Sequence, residues 1–222
     1  MTDARVKLAI FDCDGTLVDS QHSIIASMNA AFDVHQVPRA SREAIRRVVG
    51  LPLLDAVAQL IPDAPSDLIE GVREEYGRAW HHIRETEGLD EPLFPGLIET
   101  LDRLEAEGWL LGVATGKSRR GLDGTLEKHS ILERFVTLQT ADRARGKPDP
   151  EMVQLAMLET GAEAGDTVMI GDTTFDMEMA VSAGVMAIGV SWGYHDVDEL
   201  KITGAAEVID AFEDLPGVLS RI

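Results

Sequence analysis

The feature that most constrains the fold of this chain is a short apolar run at residues 8–11 that ends in two aspartates, Asp12 and Asp14. Its length, its β-compatible residues and the turn residues after it predict a buried strand. Residues two apart in extended backbone point to the same side, so we expect both carboxylates to face one pocket and Cys13 to point away. Two like charges this close repel each other unless a proton or a cation relieves them. A hard divalent cation fits carboxylate oxygens, and Mg²⁺ suits a site that also binds phosphate.

From residue 95 onward, apolar strands alternate with helical segments. The predicted strands cover residues 8–11, 109–114, 135–138, 167–170 and 185–190, with an edge strand at 207–209. Alternation of this kind is typical of a parallel sheet with helices on both faces. We therefore predict an α/β fold with a Rossmann-like parallel sheet flanked by helices.

Residues 18–88 differ from the rest, because they show helical patterns and no convincing strand. The predicted helices of this block begin near Ser20, Ser41, Leu53 and Ser66, with Ser20 as an N-cap. We predict a Rossmann-like core domain from residues 1–17 and 89–222, and an α-helical cap domain from residues 18–88 inserted after the first strand. An insertion at this point can cover the pocket, exclude water and select substrates.

Polar side chains follow several of the predicted strands at their carboxyl ends. In an open α/β sheet these ends meet at one edge, where ligands bind. The groups expected to converge there, besides the two aspartates of the first strand, are Thr115, Gly116, Lys117, Lys147, Asp172 and Asp176.

This set of groups suits phosphoryl transfer. Asp12 is predicted to be a carboxylate nucleophile that takes the phosphoryl group as an acyl phosphate. Asp14 is predicted to protonate the leaving oxygen and later to take a proton from the attacking water. The Thr115 hydroxyl and the backbone N–H of Gly116 are predicted to bind phosphate oxygens. Lys147 is expected to hold the nucleophile ionised and to neutralise the transferring group.

The acidic groups also make up a predicted metal site. We expect Mg²⁺ to bind the carboxylates of Asp12 and Asp172 and the backbone carbonyl of Asp14, while phosphate and water complete the octahedron. Asp176 is expected either to coordinate the ion directly or to orient its ligands.

Each motif also has an ordinary structural interpretation. An Asp-Gly pair after a strand is a common turn, and Ser118 after Thr115 is a suitable helix cap. A lysine such as Lys147 is usually at the surface, and the helix dipole favours a carboxylate such as Asp176 near a helix start. Their occurrence in this order, each near a strand end, is what favours a shared site.

The acidic composition limits the possible partners. The formal net charge of the 222-residue chain is −19, so we expect neither nucleic acid nor an anionic membrane as a partner. We expect no signal peptide and no membrane span, and the single cysteine, Cys13, cannot form an intramolecular disulfide. The predictions are a cytoplasmic location, a small phosphorylated substrate, and a monomer or homodimer.

The quoted motifs resemble those of a known superfamily. In order they are Asp12-Cys13-Asp14-Gly15-Thr16, Thr115, Lys147 and Gly171-Asp172-Thr173-Thr174-Phe175-Asp176. They resemble the four motifs of the haloacid dehalogenase superfamily of hydrolases, over nearly the whole chain. The helical block resembles the cap of the phosphoglycolate phosphatase and β-phosphoglucomutase branch, and the Gly50-Leu51-Pro52-Leu53 turn is closer to phosphoglycolate phosphatases. Dehalogenases carry tyrosine and phosphonatases alanine at position 14, so Asp14 implies a phosphatase or a phosphomutase.

Together these features predict a Mg²⁺-dependent phosphatase that hydrolyses a small phosphorylated metabolite, phosphoglycolate-like or a sugar phosphate, through an aspartyl-phosphate. The alternatives are a β-phosphoglucomutase-like phosphomutase, an inorganic pyrophosphatase and, from another class, a non-catalytic acidic protein that binds a metal or a partner. His81 and His82 are predicted on a solvated helix face. Candidates for contacting a second anionic group of the substrate are Arg46, Arg47, Arg119 and Arg120.

Overall fold

A parallel sheet runs through the centre of the computed structural model, which describes residues 5–86 and 91–221. The strands are β1 (Lys7–Phe11), β2 (Trp109–Thr115), β3 (Phe135–Thr140), β4 (Thr167–Gly171), β5 (Met186–Val190) and β6 (Glu207–Ile209). Their order in the sheet is β3-β2-β1-β4-β5-β6, and all neighbours are parallel. The predicted Rossmann-like α/β fold is confirmed. The strand order reverses between β1 and β4, which is the place where such sheets bind ligands.

Helices cover both faces of the sheet. They are α5 (Leu97–Ala106), α6 (Arg119–Lys128), α7 (Glu151–Thr160), α8 (Thr174–Ala183), α9 (Val197–Thr203) and α10 (Leu215–Leu219), numbered after the four helices described next. Ala9 and Phe11 of β1 pack with α5, α6 and α10, whereas Leu8 and Ile10 pack with α7, α8 and α9. A strand buried on both faces needs a continuous apolar run, and this explains the sequence of β1.

Residues 20–86 build a separate helical layer. Its helices are α1 (Gln21–Val34), α2 (Arg42–Arg47), α3 (Leu53–Leu60) and α4 (Ser66–Thr86). Their apolar faces pack on each other in a core that includes Met28, Phe32, Ile45, Val57 and Val72. The predicted helical block is therefore observed as a layer with its own core.

The two segments that join this layer to the sheet lie side by side. Val18 pairs with Leu93 in an isolated antiparallel bridge, and the N–H of Asp19 donates to the Pro92 carbonyl at 2.9 Å. The chain thus leaves and re-enters the sheet region through one narrow place. The division into a cap of residues 18–88 and a core of 1–17 and 89–222 stays a prediction, and its second boundary lies outside the described residues.

Two local features differ from the predictions. Helix α9 was not predicted, although Asp196 and Glu199 form a capping box at its start, a pattern that is readable in the sequence. Ser20 precedes α1, but its side chain makes no capping hydrogen bond, so the predicted N-cap is wrong. The Ser20 hydroxyl donates instead to the Asp14 carboxylate.

Among the described residues, no helix combines the length and the apolar character needed to cross a bilayer.

Candidate active site

The loop after β1 places its two aspartates at the sheet edge. The N–H of Asp12 donates to the Ile170 carbonyl at 2.9 Å, so this residue still follows the path of the strand beside β4. Asp12 and Asp14 both line one cavity, and Cys13 packs into the apolar core, as predicted. Gly15 has φ +80°, and a Cβ there would lie 2.3 Å from Asp172 Oδ2. Only glycine allows the turn to approach the end of β4 so closely.

Three buried carboxylates form the centre of the site. Oxygen atoms of Asp12, Asp172 and Asp176 all lie within 4.8 Å of one another. Lys147 enters this group from the loop before α7, with its Nζ 2.8 Å from Asp12 Oδ1 and 2.6 Å from Asp176 Oδ1. Its side chain is 0% exposed, so the interpretation of Lys147 as a surface lysine is wrong. The predicted convergence of these four residues is therefore observed.

Hydrogen bonds orient the two carboxylates that follow β4. Asp172 accepts from the Thr16 hydroxyl and from the Tyr194 N–H, both at 2.9 Å. Asp176 accepts from the N–H of Thr173 at 3.0 Å and from its hydroxyl at 2.7 Å. The Asp176 N–H donates in turn to the Thr173 hydroxyl oxygen at 3.4 Å, and this bond and the one from the Thr173 N–H form a capping box at the start of α8. Asp176 is thus both a helix-start carboxylate and a member of the cluster.

Burial dominates the electrostatics of the cluster. It raises the pKa of Asp12 to about 7, although Lys147 opposes the shift. It also raises the pKa of Asp172 well above its ordinary value, and the charges of Asp12 and Asp176 add to that effect. Burial alone would lower the pKa of the Lys147 ammonium, but Asp12 and Asp176 outweigh it and raise this pKa. The lysine therefore stays charged, while the carboxylates gain by sharing a cation or a proton.

The cluster fits a divalent cation. Three carboxylates against one ammonium leave an excess of two negative charges in a buried place. Asp12 Oδ2 is buried and has no hydrogen-bond partner among the described residues. Oxygen-only donors with this excess charge suit a hard divalent ion. Asp12, Asp172 and Asp176 are the side chains able to hold it.

The Asp14 carboxylate lies outside this group of three and contacts Lys117 and Ser20. Lys117 Nζ is 2.8 Å from Asp14 Oδ1 and 4.3 Å from the ring centroid of Trp80. The Ser20 hydroxyl, which donates to the same Asp14 oxygen, also lies 3.2 Å from the Tyr194 hydroxyl. These contacts hold Asp14 in one orientation. The predicted metal contact of Asp14 involves its backbone carbonyl and stays a prediction.

The turn after β2 carries Thr115 and Gly116. Thr115 is buried, and its hydroxyl oxygen accepts from the Lys117 N–H at 3.2 Å. A Cβ on Gly116 would lie 2.7 Å from the carbonyl oxygen of Leu51, so the loop between α2 and α3 closes directly onto this turn. Ser118 caps α6 by accepting from the Gly121 N–H. Thr115 and Gly116 line the same cavity as the two aspartates of the β1 loop, and their role in phosphate binding stays a prediction.

Several candidate residues have other contacts. Arg46 donates to the Gly193 carbonyl at 3.1 Å, and Arg47 pairs with Glu199, so both tie α2 to the sheet region. Arg119 pairs with Asp123 of its own helix. None of these three arginines lines the cavity as described. His81 is half-buried and lines it, whereas His82 is exposed on the helix surface.

Lys117 was expected at this edge, but its pairing with Asp14 was not predicted, and the contacts of Ser20 and Tyr194 were missed or interpreted differently. Lys117 had a signal, because a lysine directly after a strand end is placed to reach the sheet edge. Ser20 and Tyr194 had none, since they meet across 174 positions of the chain.

The chain is similar to known proteins over most of its length. Residues 9–190 match the family described as haloacid dehalogenase-like hydrolase. The chain is 38% identical over 215 residues to "Probable phosphatase IndB" of Dickeya dadantii, which covers 95% of this chain and 92% of the relative. It is 32% identical over 226 residues to the phosphoglycolate phosphatase of Agrobacterium fabrum, with coverage of 96% and 91%. A hydrolase from Pseudomonas syringae has a similar crystal structure, with a TM-score of 0.86, 26% identity and coverage of 97% and 99%.

The matched segment runs from β1 to β5 and so contains every residue of the carboxylate cluster. The two relatives are both named as phosphatases and span nearly the whole chain. The resemblance stated from the motifs is thereby confirmed. The chain belongs to the haloacid dehalogenase-like hydrolase family, and it is a phosphatase, a phosphoric monoester hydrolase, of that family.

Proposed function

We propose that this phosphatase is Mg²⁺-dependent and hydrolyses a small phosphorylated metabolite through an aspartyl-phosphate on Asp12. The observation that carries the proposal is the asymmetry of the Asp12 carboxylate. Its Oδ1 is held by the Lys147 ammonium and by the Cys13 N–H at 2.6 Å, whereas its Oδ2 is buried without a hydrogen-bond partner. An oriented carboxylate with one uncommitted oxygen is suited to act as a nucleophile.

In the first step, an oxygen of Asp12 forms a bond to phosphorus, and the bond between phosphorus and the ester oxygen breaks. The ester oxygen leaves with the electron pair and takes a proton from Asp14. Lys117 Nζ lies 2.8 Å from Asp14 Oδ1 and orients the carboxyl group for this proton transfer.

In the second step, water attacks phosphorus and the bond to Asp12 breaks. Asp14 takes the proton of the water, and phosphate leaves with the carboxylate restored. Lys147 stabilises the charge on the transferring group in both steps, and Thr115 with the N–H of Gly116 binds its oxygens. Mg²⁺ held by Asp12, Asp172 and the Asp14 carbonyl would neutralise the phosphate oxygens, with Asp176 as a direct or an orienting ligand.

We also infer that residues 18–88 act as a cap over the site, because the loop between α2 and α3 touches the Thr115 turn. The cap would exclude water during the first step, when attack on phosphorus must come from Asp12. A phosphomutase would use the same chemistry but pass the phosphoryl group to a second hydroxyl. Assay of a hexose 1-phosphate for isomerised product against free phosphate separates the two.

The test of the proposed function is Asp12→Asn. The substitution keeps the shape of the side chain and removes the nucleophile, so turnover of p-nitrophenyl phosphate with Mg²⁺ should fall by about 10³-fold or more. Asp55→Asn, at an exposed position of α3, is the matched control and should leave the rate unchanged. Wild-type activity should disappear with EDTA and return with Mg²⁺. Full activity of Asp12→Asn would disprove the nucleophile, and release of phosphate in EDTA would disprove the metal requirement.

A further inference from the structure

The cavity above the reaction site is much larger than a phosphate group requires. Its volume is about 630 Å³, and its floor includes Asp12, Asp14 and Thr115. Pockets of this size hold ligands as large as typical drugs. The proposed chemistry uses only the floor, so most of the space is open to the leaving group of the substrate.

The walls of this space are largely apolar. They come from α1, α2, α3 and the loop before α3, with side chains such as Ile24, Met28, Ile45, Leu51 and Leu54. Tyr76 and Trp80 of α4 complete them and stack on each other, with ring centroids 6.1 Å apart. Such walls favour a ligand in proportion to the apolar surface that it removes from water.

The arginine and lysine side chains of the walls are already paired. Among the described residues of the lining, Arg73 pairs with Glu70, Arg78 with Glu75 and Lys117 with Asp14. A second anionic group on the substrate would therefore compete with a carboxylate for Arg73, Arg78 or Lys117. This disfavours pyrophosphate, and it disfavours phosphoglycolate with its carboxylate.

Gly77 shows that the space is kept open. It lies inside α4 and lines the cavity, and a Cβ built on it would meet no atom within 4 Å. Glycine inside a helix is unfavourable compared with alanine. No close packing among residues 5–86 and 91–221 requires glycine here, and the absence of a side chain leaves room on the cavity side of the helix.

We propose that the substrate is a phosphate monoester whose leaving group is bulky, uncharged and largely apolar, of the size of one or two rings, and packs against α1, α2 and α4. This inference rests on the proposed function, since it assigns the substrate class of the same site. The phosphoryl group lies on the floor, and the rest of the substrate fills the space beside Gly77.

The first experiment compares 2-phenylethyl phosphate with ethyl phosphate. The two leaving alcohols have similar acidity and differ by a phenyl ring, so the comparison reports binding rather than intrinsic reactivity. We expect kcat/KM to be at least about tenfold higher for 2-phenylethyl phosphate, mainly through KM. The kcat/KM values for phosphoglycolate and pyrophosphate should be lower than that for 2-phenylethyl phosphate by a similar factor.

The second experiment fills the space. Gly77→Leu should lower kcat/KM for 2-phenylethyl phosphate by about tenfold and leave ethyl phosphate within about twofold. Gly217→Leu, at an exposed glycine of α10 outside the cavity lining whose Cβ would also meet no atom within 4 Å, is the matched control and should change both by less than about twofold. Leu54→Ser, at a side chain that is 43% exposed and so dispensable for folding, is a second variant. Leu54→Ser should lower kcat/KM for 2-phenylethyl phosphate and leave that for ethyl phosphate unchanged.

Two results would overturn the inference. One is a kcat/KM for ethyl phosphate, phosphoglycolate or pyrophosphate equal to or above that for 2-phenylethyl phosphate. The other is an equal loss for both alkyl phosphates in Gly77→Leu while the variant unfolds at the wild-type temperature. In either case hydrolysis of p-nitrophenyl phosphate would still support the proposed function. Failure to hydrolyse any of these esters with Mg²⁺ would contradict the proposed function and this inference together.

Discussion

The floor and the walls of the cavity are built from opposite kinds of interaction. The floor, taken here together with the buried cluster that it joins at Asp12, consists of ions: Asp12, Lys147, Asp172 and Asp176 are each 2% exposed or less. The walls are largely apolar side chains on α1 to α4, which pack in a core of their own. The floor belongs to the central strands of the sheet, whereas the walls are joined to it through the paired segments near Val18 and Leu93.

The difference shows how the two tasks of the enzyme are divided. Charges in a buried place interact strongly, and an unpaired one is very unfavourable, so the reacting groups need a rigid frame with defined partners. Apolar contacts have no preferred direction and tolerate small shifts, so walls of this kind suit the selection of a substrate by its shape and apolar surface. Changes in the floor should therefore affect rate and stability together, and changes in the walls should affect selectivity with little effect on stability.

The largest effect is expected from removing the Lys147 ammonium from the buried cluster. Lys147→Ala leaves three buried carboxylates without their ammonium partner, so the metal-free protein should lose about 3–5 kcal/mol of unfolding free energy. The rate of phosphoryl transfer should fall by about 10²-fold or more, because the same ammonium stabilises the transferring group. Chemical denaturation in EDTA and steady-state kinetics with Mg²⁺ measure the two effects.

Lys201→Ala is the matched control for this variant, since Lys201 is exposed in α9. It should leave both stability and kinetics unchanged. If Lys147→Ala were as stable and as active as the control, the description of the floor as a mutually dependent ionic cluster would be wrong.

Metal removal should have a smaller effect that depends on pH. Asp12 has a pKa raised to about 7, mainly by burial, against an ordinary value of 3.8. The folded metal-free protein therefore holds a proton there that the unfolded chain has lost, and its unfolding free energy should fall as pH rises from about 4 to about 7. A bound divalent cation takes the place of that proton. EDTA should thus lower the unfolding temperature more at pH 8 than at pH 5.5.

The same measurement on Asp12→Asn sharpens the assignment, because that variant has no carboxyl group to titrate at position 12. In the variant, the lowering of the unfolding temperature by EDTA should differ less between pH 8 and pH 5.5 than it does in the wild-type protein. An equal effect of EDTA at both pH values in the wild-type protein would show that protonation of the cluster does not stabilise the metal-free state.

The smallest effect is expected in the walls. Gly77→Ala should stabilise the protein by about 0.5–1 kcal/mol, because it removes the unfavourable glycine from α4 and its methyl group meets no atom. Gly124→Ala in α6 is the comparison, since its Cβ would lie 2.1 Å from Nη1 of Arg84. The same guanidinium donates to the Gly124 carbonyl through Nη2. Gly124→Ala should raise the free energy of unfolding by less than Gly77→Ala does, or should lower it. A loss of stability in Gly77→Ala, measured by urea denaturation, would show that the walls are packed as tightly as the floor.

Much of the fold and of the floor could be predicted, because their signals are local. The apolar run of β1 and the alternation of later strands and helices predicted a parallel sheet, and parallel strands bring their carboxyl ends to one edge. Asp12, Lys147, Asp172 and Asp176 could therefore be placed together before any distance was known. Helix α9 carried a local signal too, its Asp196–Glu199 capping box, which was overlooked.

Other contacts had no local signal. Ser20 resembles a helix cap, yet its hydroxyl serves Asp14 and lies beside Tyr194, because burial at the sheet edge offers it a charged partner. Arg46 and Arg47 resemble free surface cations, but they hold α2 against the loop at Gly193 and against Glu199 in α9. Such choices depend on which segments meet in space, and sequence spacing does not contain that information.

The sequence by itself determined the strand pattern, the positions of the acidic groups at strand ends and the kind of chemistry that they suit. These properties follow from hydrophobic periodicity and from the charges of single side chains. Only the tertiary structure decided that Lys117 pairs with Asp14, that His81 and Gly77 face the cavity, and that its walls are apolar. The shape and polarity of a cavity arise from side chains that belong to separate elements, and only packing brings them together.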